Sequence, residues 1–217
     1  MSDRHAIETF PELESLPGLV HGFIVRQAGV EVTTDREGTL ERLQPGFDVS
    51  ISELGLERER LARAEQVHGG VVAMVSDSGI SAGADGLITN TPSLALGIVV
   101  ADCCAVYIVD PIKRAIGLVH SGKKGTEANI SGTAIRQMSA AYGSSPRDLL
   151  VRLSPCIRPP AYEVDIAAQI REQVRQAGVP ESSIHDDGTC TTSDLDRFYS
   201  YRAEKGATGR MLALLAL

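Results

Sequence analysis

The feature that most constrains the fold is a series of short apolar runs in the middle of the sequence: Leu94–Val100, Val106–Val109 and Ala115–Val119. Short continuous apolar runs bounded by turn residues are typical of strands that are buried on both faces. Asp102 closely follows the first run, and His120 directly follows the third. The sequence therefore predicts buried strands whose ends present side chains that can do chemistry.

The remaining elements are mixed along the chain. We expect further strands at Gly18–Val25, Gly70–Val75, Asp85–Thr89 and Leu149–Leu153, and helices at Ile51–Ala64, Glu127–Tyr142 and Val164–Gly178. A loop or weak element is expected at Val30–Gly46, a loop at Ser154–Pro160, and a strand or helix docked into the core at Gly209–Leu217. Because strands and helices do not alternate strictly, the pattern favours an α/β (α+β) fold, a layered sandwich of mixed strands, over a doubly wound sheet. No repeat or linker divides the chain, so we expect one domain over residues 1–217.

Composition limits the function classes. The net charge of −7 argues against a dedicated nucleic-acid binder, which needs a basic footprint. The first ten residues lack the apolar core of a signal peptide, and no apolar run is long enough to suggest a membrane span. We therefore expect a cytoplasmic protein whose four cysteines are reduced thiols.

Three of the residues near strand ends form a candidate metal site. His68 lies beside an apolar run, Cys103 follows a second run and His120 ends a third. Two imidazoles and one thiolate, with a fourth position left open, make the ligand set of a catalytic zinc site. Each residue also has a structural interpretation, because a single histidine after a strand is more often structural. A buried cysteine is usually a small hydrophobic residue, and this interpretation is preferred for Cys104.

An aspartate and a pair of lysines suggest that charged groups lie beside the candidate metal site. Asp102 ends a buried run, where an unpaired carboxylate is costly, so it needs a partner or a function. The segment Ser121–Thr126 carries Lys123 and Lys124 ahead of a predicted helix and is similar to an anion cradle, although its spacing is not that of a P-loop. Turns that contain glycine and lysine are also common as simple solvated turns.

The order of these motifs resembles one family over nearly the whole chain, from His21 to the carboxyl terminus. The matching blocks are Gln66–Gly69, Ala84–Thr89, Ala101–Cys103, Val106–Asp110, Gly117–Gly122, Gly125, Ser154–Ile157, Tyr162–Val164, Cys190–Thr191, Arg197–Arg202 and Thr208–Met211, and His21–Arg26 opens the series. They resemble the laccase-domain family. Its members are named multicopper polyphenol oxidase-like proteins, peptidoglycan editing factors and purine nucleoside phosphorylases.

The resemblance implies a fold similar to that of a bacterial cytotoxic deamidase and a zinc site on His68, Cys103 and His120. It places the family's active-site arginine at Arg26. The implied activity is phosphorolysis of purine nucleosides, with adenosine deamination as a second activity. The implied partners are a nucleoside and phosphate. From the net charge and the lack of a long apolar run we expect neither a nucleic-acid nor a membrane partner, and we expect a monomer or weak homodimer. Zinc is favoured over copper, because a multicopper oxidase needs many histidines and the chain has five.

Three other functions stay open at this point. One is editing of a cell-wall precursor by amide hydrolysis, using the same zinc or Cys103 as nucleophile. Another is the polyphenol oxidation of the family's older name. The third is a catalytically degenerate homologue that only binds metal.

Two departures from the family pattern bear on the substrate. The usual His-Ala-Gly-Trp-Arg-Gly reads His-Ser-Gly-Lys-Lys-Gly at 120–125, and the Ser-Leu-Asn-Leu-Gly block is absent, with Thr39–Leu43 roughly in its place. Lysine supplies a point charge but neither the fork of a guanidinium nor a stacking face. We expect Arg26 to hold phosphate together with Lys123 or Lys124, and Asp102 to support the metal ligands or to carry a proton.

Overall fold

A computed structural model describes residues 7–217, which form two six-stranded sheets. The first sheet contains, in spatial order, β1 (Ile7–Glu8), β2 (Val20–Ile24), β12 (Met211–Ala216), β7 (Ala95–Val100), β3 (Leu61–Ala64) and β5 (Gly79–Ser81). The second contains β11 (Ile184–His185), β10 (Leu150–Leu153), β8 (Cys104–Asp110), β9 (Ala115–Ser121), β6 (Gly86–Thr89) and β4 (Val72–Met74). The helices are α1 (Pro11–Glu14), α2 (Arg36–Glu53), α3 (Lys123–Glu127), α4 (Ile130–Tyr142) and α5 (Ile166–Gln176). Parallel and antiparallel pairs occur in both sheets, which confirms the predicted mixed α/β architecture.

The central strand β8 is buried on both faces, and its two faces pack into two different cores. Tyr107 and Val109 lie in the core between the sheets, whereas Val106 and Ile108 lie in the core beneath the helices. This alternation follows from the two-residue period of a strand. Burial of each large apolar side chain contributes about 1.5–3 kcal/mol, so the apolar run predicted from the sequence holds both layers of the sandwich together.

The pairing of β8 with β9 brings two predicted site residues together. These strands are antiparallel, with Cys104 opposite Ser121 and Ala105 opposite His120. The chain therefore enters β8 beside the point where β9 ends. Cys103, the residue before β8, is placed next to His120 by this register, and the segment 101–103 joins the first sheet to the second.

Two predictions near the amino-terminal third are wrong. The segment Val30–Gly46 is not a loop throughout, because α2 begins at Arg36, where the Asp35 side chain accepts a hydrogen bond from the Glu37 amide. The predicted helix Ile51–Ala64 is also wrong, since α2 ends at Glu53 and the last four residues form β3. Parallel pairing of β3 with β7 and burial in the core outweigh the local charge pattern that favoured a helix.

The predicted turn and helix after His120 are divided differently from the expectation. The lysine-bearing segment is itself the short helix α3, and α4 begins at Ile130 rather than near residue 127. Asn129, with φ of 54°, separates the two helices, and its side chain accepts a hydrogen bond from the Gly132 amide at 3.2 Å. An asparagine tolerates this left-handed conformation and caps the following helix.

The carboxyl-terminal tail is a strand rather than a helix. It forms β12, which pairs with β2 on one side and β7 on the other, so the tail lies inside the first sheet. Over residues 7–217, no helix combines the length and apolar character needed to cross a membrane.

Candidate metal centre and cavity

The structure brings His68, Cys103 and His120 together. One ligand atom from each of the three lies within 4.8 Å of the others. The two imidazole rings meet edge to face, with their centroids 4.8 Å apart. His120 is buried, Cys103 is partly exposed and His68 is exposed, so the cluster opens on one side. It is the one three-residue cluster of potential metal ligands found in the described part of the chain.

The backbone around the ligands adopts conformations that most residues avoid. Gln66, His68 and Asp102 have φ values of 64°, 62° and 78°. Such conformations in residues other than glycine cost free energy and persist only where the surroundings enforce them. Here the Gln66 side chain forms two hydrogen bonds with the Val99 backbone, donating at 2.6 Å and accepting at 2.9 Å. This amide fastens the His68 loop to β7.

Asp85 forms hydrogen bonds with both His120 and the loop that carries His68. Its fully buried carboxylate accepts hydrogen bonds from the His68 amide at 2.8 Å and the Gly69 amide at 2.7 Å. The same carboxylate lies 2.9 Å from Nδ1 of His120. A carboxylate on one ring nitrogen fixes the tautomer and leaves the other nitrogen as the ligand atom. Sequence reasoning did not assign Asp85 a role, although a carboxylate directly before a buried strand was a usable signal.

Without a metal ion, the cluster holds a thiolate beside an imidazolium, and a bound metal would take the place of the proton on His120. Burial disfavours the Cys103 thiolate, but hydrogen bonds with His120 and His68 outweigh it and lower the thiol pKa to about 6. Burial also disfavours a charged His120, yet Asp85 and the Cys103 thiolate raise its pKa to about 9. A thiolate and two imidazoles, one already oriented by a carboxylate, are the donor set that structural and catalytic zinc sites use. The residues present therefore fit a divalent metal ion such as zinc.

Gly122 lets the chain pass close to the thiolate. A Cβ atom at this position would lie 2.6 Å from Sγ of Cys103, closer than real Cβ atoms approach. A Cβ at Gly125 would lie 3.2 Å from the Gly69 carbonyl oxygen and 3.3 Å from the His120 carbonyl oxygen. Both glycines thus allow α3 to pack directly against the ligand loops.

Asp102 connects three loops through hydrogen bonds. One of its carboxylate oxygens accepts a hydrogen bond from the Thr191 hydroxyl at 2.7 Å, and the other accepts one from the Arg202 amide at 2.7 Å. Its backbone carbonyl accepts a third from the Ile157 amide at 2.8 Å. The buried carboxylate therefore has the hydrogen-bond partners that burial of a polar group requires. These hydrogen bonds tie the segment bearing Cys103 to the loops that face it.

Arg26 is not among the residues that line the cavity over the metal ligands. Its guanidinium donates to the Phe198 carbonyl, pairs with Glu204 at 2.7 Å and stacks over the Tyr199 ring at 4.2 Å. The side chain is thus used to fasten the end of β2 to the segment 198–204. The structure does not bring Arg26 to the other predicted site residues, because these partners hold it.

The metal ligands lie at the wall of a cavity of about 1090 Å³. Lys123 and Lys124 both line it, as expected from the sequence, and both are exposed. Four further cations that sequence reasoning did not assign also line it: Arg36, Arg202, Lys205 and Arg210. Arg36 and the three cations at 202–210 are far from each other and from the lysine pair in the sequence, so only the tertiary fold reveals that they share a cavity. The arrangement can hold an anion beside a metal-bound group.

Known proteins match this chain over most of its length. The family model described as multi-copper polyphenol oxidoreductase laccase matches residues 28–168 and 163–217. A protein of Geobacillus stearothermophilus named purine nucleoside phosphorylase YlmD is 31% identical over 202 residues, covering 75% of this chain and 74% of its own. A protein of Deinococcus radiodurans named purine nucleoside phosphorylase is 33% identical over 188 residues, covering 76% and 73% of the two chains.

Solved structures share the fold. The crystal structure of YlmD from Geobacillus stearothermophilus superposes with a TM-score of 0.86 at 24% identity, and it covers 98% of each chain. The Bacillus licheniformis hypothetical protein YfiH also gives a TM-score of 0.86, at 20% identity, over 99% of this chain and 97% of its own. These likenesses show a shared fold, and the family-model match shows that the chain belongs to the multi-copper polyphenol oxidoreductase laccase family.

Proposed function

We propose that this protein is a zinc-dependent purine nucleoside phosphorylase, with adenosine deamination as a second activity. The observation that carries the proposal is the His68, Cys103 and His120 cluster at the wall of a cavity lined by cations. The names of the relatives, purine nucleoside phosphorylase in both organisms, support the same reaction.

The chain's own residues supply the positioning that phosphorolysis needs. An oxygen of inorganic phosphate forms a bond to C1′ of the ribose, the bond from C1′ to N9 of the purine breaks, and the base takes up a proton. Lys123 and Lys124, which line the cavity directly after His120, neutralise the phosphate and hold it near the sugar. Zinc on the three ligands, when bound, would supply Lewis acidity at its open position.

Other residues of the site act through these groups. Asp85 orients His120, and Asp102 fixes the segment that carries Cys103 against the loops at 191 and 202. We propose that Arg26 serves the reaction by holding the segment 198–204, which leads into cavity-lining residues, rather than by touching phosphate. Precise support of this kind matters because a misplacement of about 1 Å can cost roughly 10²-fold in rate.

Product analysis tests the proposed activity. The zinc-loaded protein should convert inosine and phosphate into hypoxanthine and ribose 1-phosphate, and Cys103→Ser should abolish the conversion. Adenosine serves as a second probe, because adenine reports phosphorolysis and inosine reports deamination. Failure to release base from inosine, adenosine or guanosine in the presence of phosphate would refute the phosphorylase proposal.

The lysine pair gives a more specific prediction. Lys124→Ala should raise the KM for phosphate about tenfold, since one charged contact to the anion is lost. Lys124→Arg should lower it, because a guanidinium binds phosphate through two parallel hydrogen bonds. The measurement is the KM for phosphate at saturating inosine. An unchanged KM in both variants would mean that the lysine is only solvated.

A further inference from the structure

The cavity carries more positive charge than one phosphate requires. Six cationic side chains line it, of which Arg202 is paired with Glu163 at 3.0 Å, and Asp102 is the single carboxylate among the lining residues of the described part of the chain. That carboxylate already accepts hydrogen bonds from the Thr191 hydroxyl and the Arg202 backbone amide. The protein as a whole has a net charge of −7, so this concentration of cations runs against its composition. A cavity of one sign on a protein of the opposite sign favours entry of an anionic substrate.

Two groups of these cations come from opposite layers of the sandwich. Lys123 and Lys124 follow β9 in the second sheet. Arg210 directly precedes β12 in the first sheet, and Arg36 begins α2, whose apolar face packs in the core of that sheet. The segment that carries Cys103 joins the two sheets between them. The cavity thus receives lysines from the layer of the second sheet and arginines from the layer of the first.

Arg210 and Arg36 both line the cavity and both belong to the layer of the first sheet. Arg210 is partly buried and donates to the carbonyl oxygens of Thr208 at 3.2 Å and Gly209 at 2.8 Å. Burial and the nearby charge of Arg36 lower the pKa of Arg210. Within residues 7–217, neither guanidinium takes part in an ion pair with a carboxylate. Two guanidinium groups that line one cavity and have no carboxylate partner are suited to a phosphate group.

We propose that Arg36 and Arg210 form a second anion subsite, and that the preferred substrate is a purine nucleoside 5′-monophosphate. The proposal rests on the phosphorylase function proposed above, in which Lys123 and Lys124 hold inorganic phosphate. The second subsite then binds the phosphate that the substrate itself carries. Ligand cavities usually measure about 300–1,000 Å³, so one of about 1090 Å³ has room for a nucleotide and a separate phosphate.

The reaction balances without a further reactant. An oxygen of inorganic phosphate bonds to C1′ of the nucleotide, and the bond from C1′ to N9 breaks with its electron pair leaving on the base. The base takes a proton from solvent. The products are a free purine and ribose 1,5-bisphosphate, and the 5′-phosphate on the Arg36 and Arg210 side is unchanged.

The test compares inosine 5′-monophosphate with inosine at saturating phosphate, using the zinc-loaded full chain. We expect the kcat/KM for the monophosphate to exceed that for inosine by about tenfold or more, the size of one charge-assisted contact. Arg36→Gln should remove that advantage and leave the kcat/KM for inosine unchanged. Arg36 is exposed, so the substitution leaves the core intact. Lys113→Gln, an exposed cation at the far end of the β8–β9 hairpin from His120, is the matched control and should change neither value.

The outcomes separate this inference from the proposed function. Turnover of neither compound would refute the phosphorylase function itself. Turnover of inosine with equal or lower activity toward the monophosphate would overturn the second subsite alone. A rise in the KM for inorganic phosphate in Arg36→Gln, measured with inosine, would also overturn it, because the arginines would then serve the co-substrate.

Discussion

At the scale of single residues, Asp85 determines how His120 faces the metal site. Its carboxylate holds Nδ1 of that imidazole and also the amides of the loop that carries His68. One side chain therefore orients two ligands, one on β9 and one in the loop between β3 and β4. Loss of such a supporting carboxylate typically costs about 10–100-fold in metal affinity.

We predict that Asp85→Asn binds zinc about 10–100-fold more weakly than the unmodified protein. An amide leaves no charge on the imidazole and offers only one oxygen as an acceptor for the two backbone amides. Competition with a chromophoric chelator measures the affinity, and Asp77→Asn, an exposed acid outside the cavity, is the control. Equal zinc affinity in both variants would show that Asp85 does not support the ligands.

The ligands could be predicted from the sequence, but most of their surroundings could not. His68, Cys103 and His120 could be predicted because each lies near the end of an apolar run, and strand ends meet at the edge of a sheet. Arg36 and Arg210 carry no such local signal. Their shared position depends on the packing of α2 and the placement of β12, which are set by tertiary contacts.

At the scale of elements, the end of β2 is tied to the segment 198–204 through Arg26. The guanidinium reaches the Phe198 carbonyl and Glu204, and Glu204 in turn accepts hydrogen bonds from the Ser200 amide and the Thr208 hydroxyl. This network shapes the stretch that contributes Arg202 and Lys205 to the cavity. Arg26 is therefore a positioning residue in this account.

We predict that Arg26→Ala lowers kcat/KM about tenfold or more, because the Glu204 contact is lost and the cavity wall is displaced. The zinc content should stay unchanged, since Arg26 touches none of the ligands. Arg26→Lys should restore part of the activity by keeping the charge beside Glu204. Loss of zinc together with activity in Arg26→Ala would instead indicate a general structural defect.

The strands were easier to predict than the helices for a physical reason. Strands such as β7, β8 and β9 are buried, so their sequences are nearly continuous apolar runs. The helix α2 buries only a few residues and contains Pro45, which obscures the helical period. Its start depends on a cap at Asp35, and its end on the pairing of β3, a contact between distant segments.

At the scale of the whole molecule, a buried histidine couples stability to pH. His21 lies on β2 with Nε2 accepting a hydrogen bond from the Phe10 amide at 2.8 Å. Burial lowers its pKa below 6.5, and the nearby Arg152 adds to this against the opposing effect of Glu14 and Glu12. The unfolded chain then binds a proton more readily than the folded one, so this stabilising contribution is present above pH 6.5 and is lost as pH falls below it.

We predict that the free energy of unfolding falls from pH 7 to pH 5 less steeply in His21→Gln than in the unmodified protein. The glutamine oxygen can accept the same hydrogen bond but does not titrate. The difference in slope is at most about 1.4 kcal/mol per pH unit for one proton. Urea unfolding at several pH values measures it. Identical slopes would show that His21 is not held neutral by the fold.

We propose that His68, Cys103 and His120 hold the zinc on which activity depends, and the zinc content of protein purified in buffer free of trace metal tests this. We predict about one zinc per chain, near-complete loss when all three residues are replaced by alanine, and retention in Cys104→Ala, whose side chain faces the core beneath the helices. Full zinc content in the triple variant would show that these three residues are not the zinc ligands.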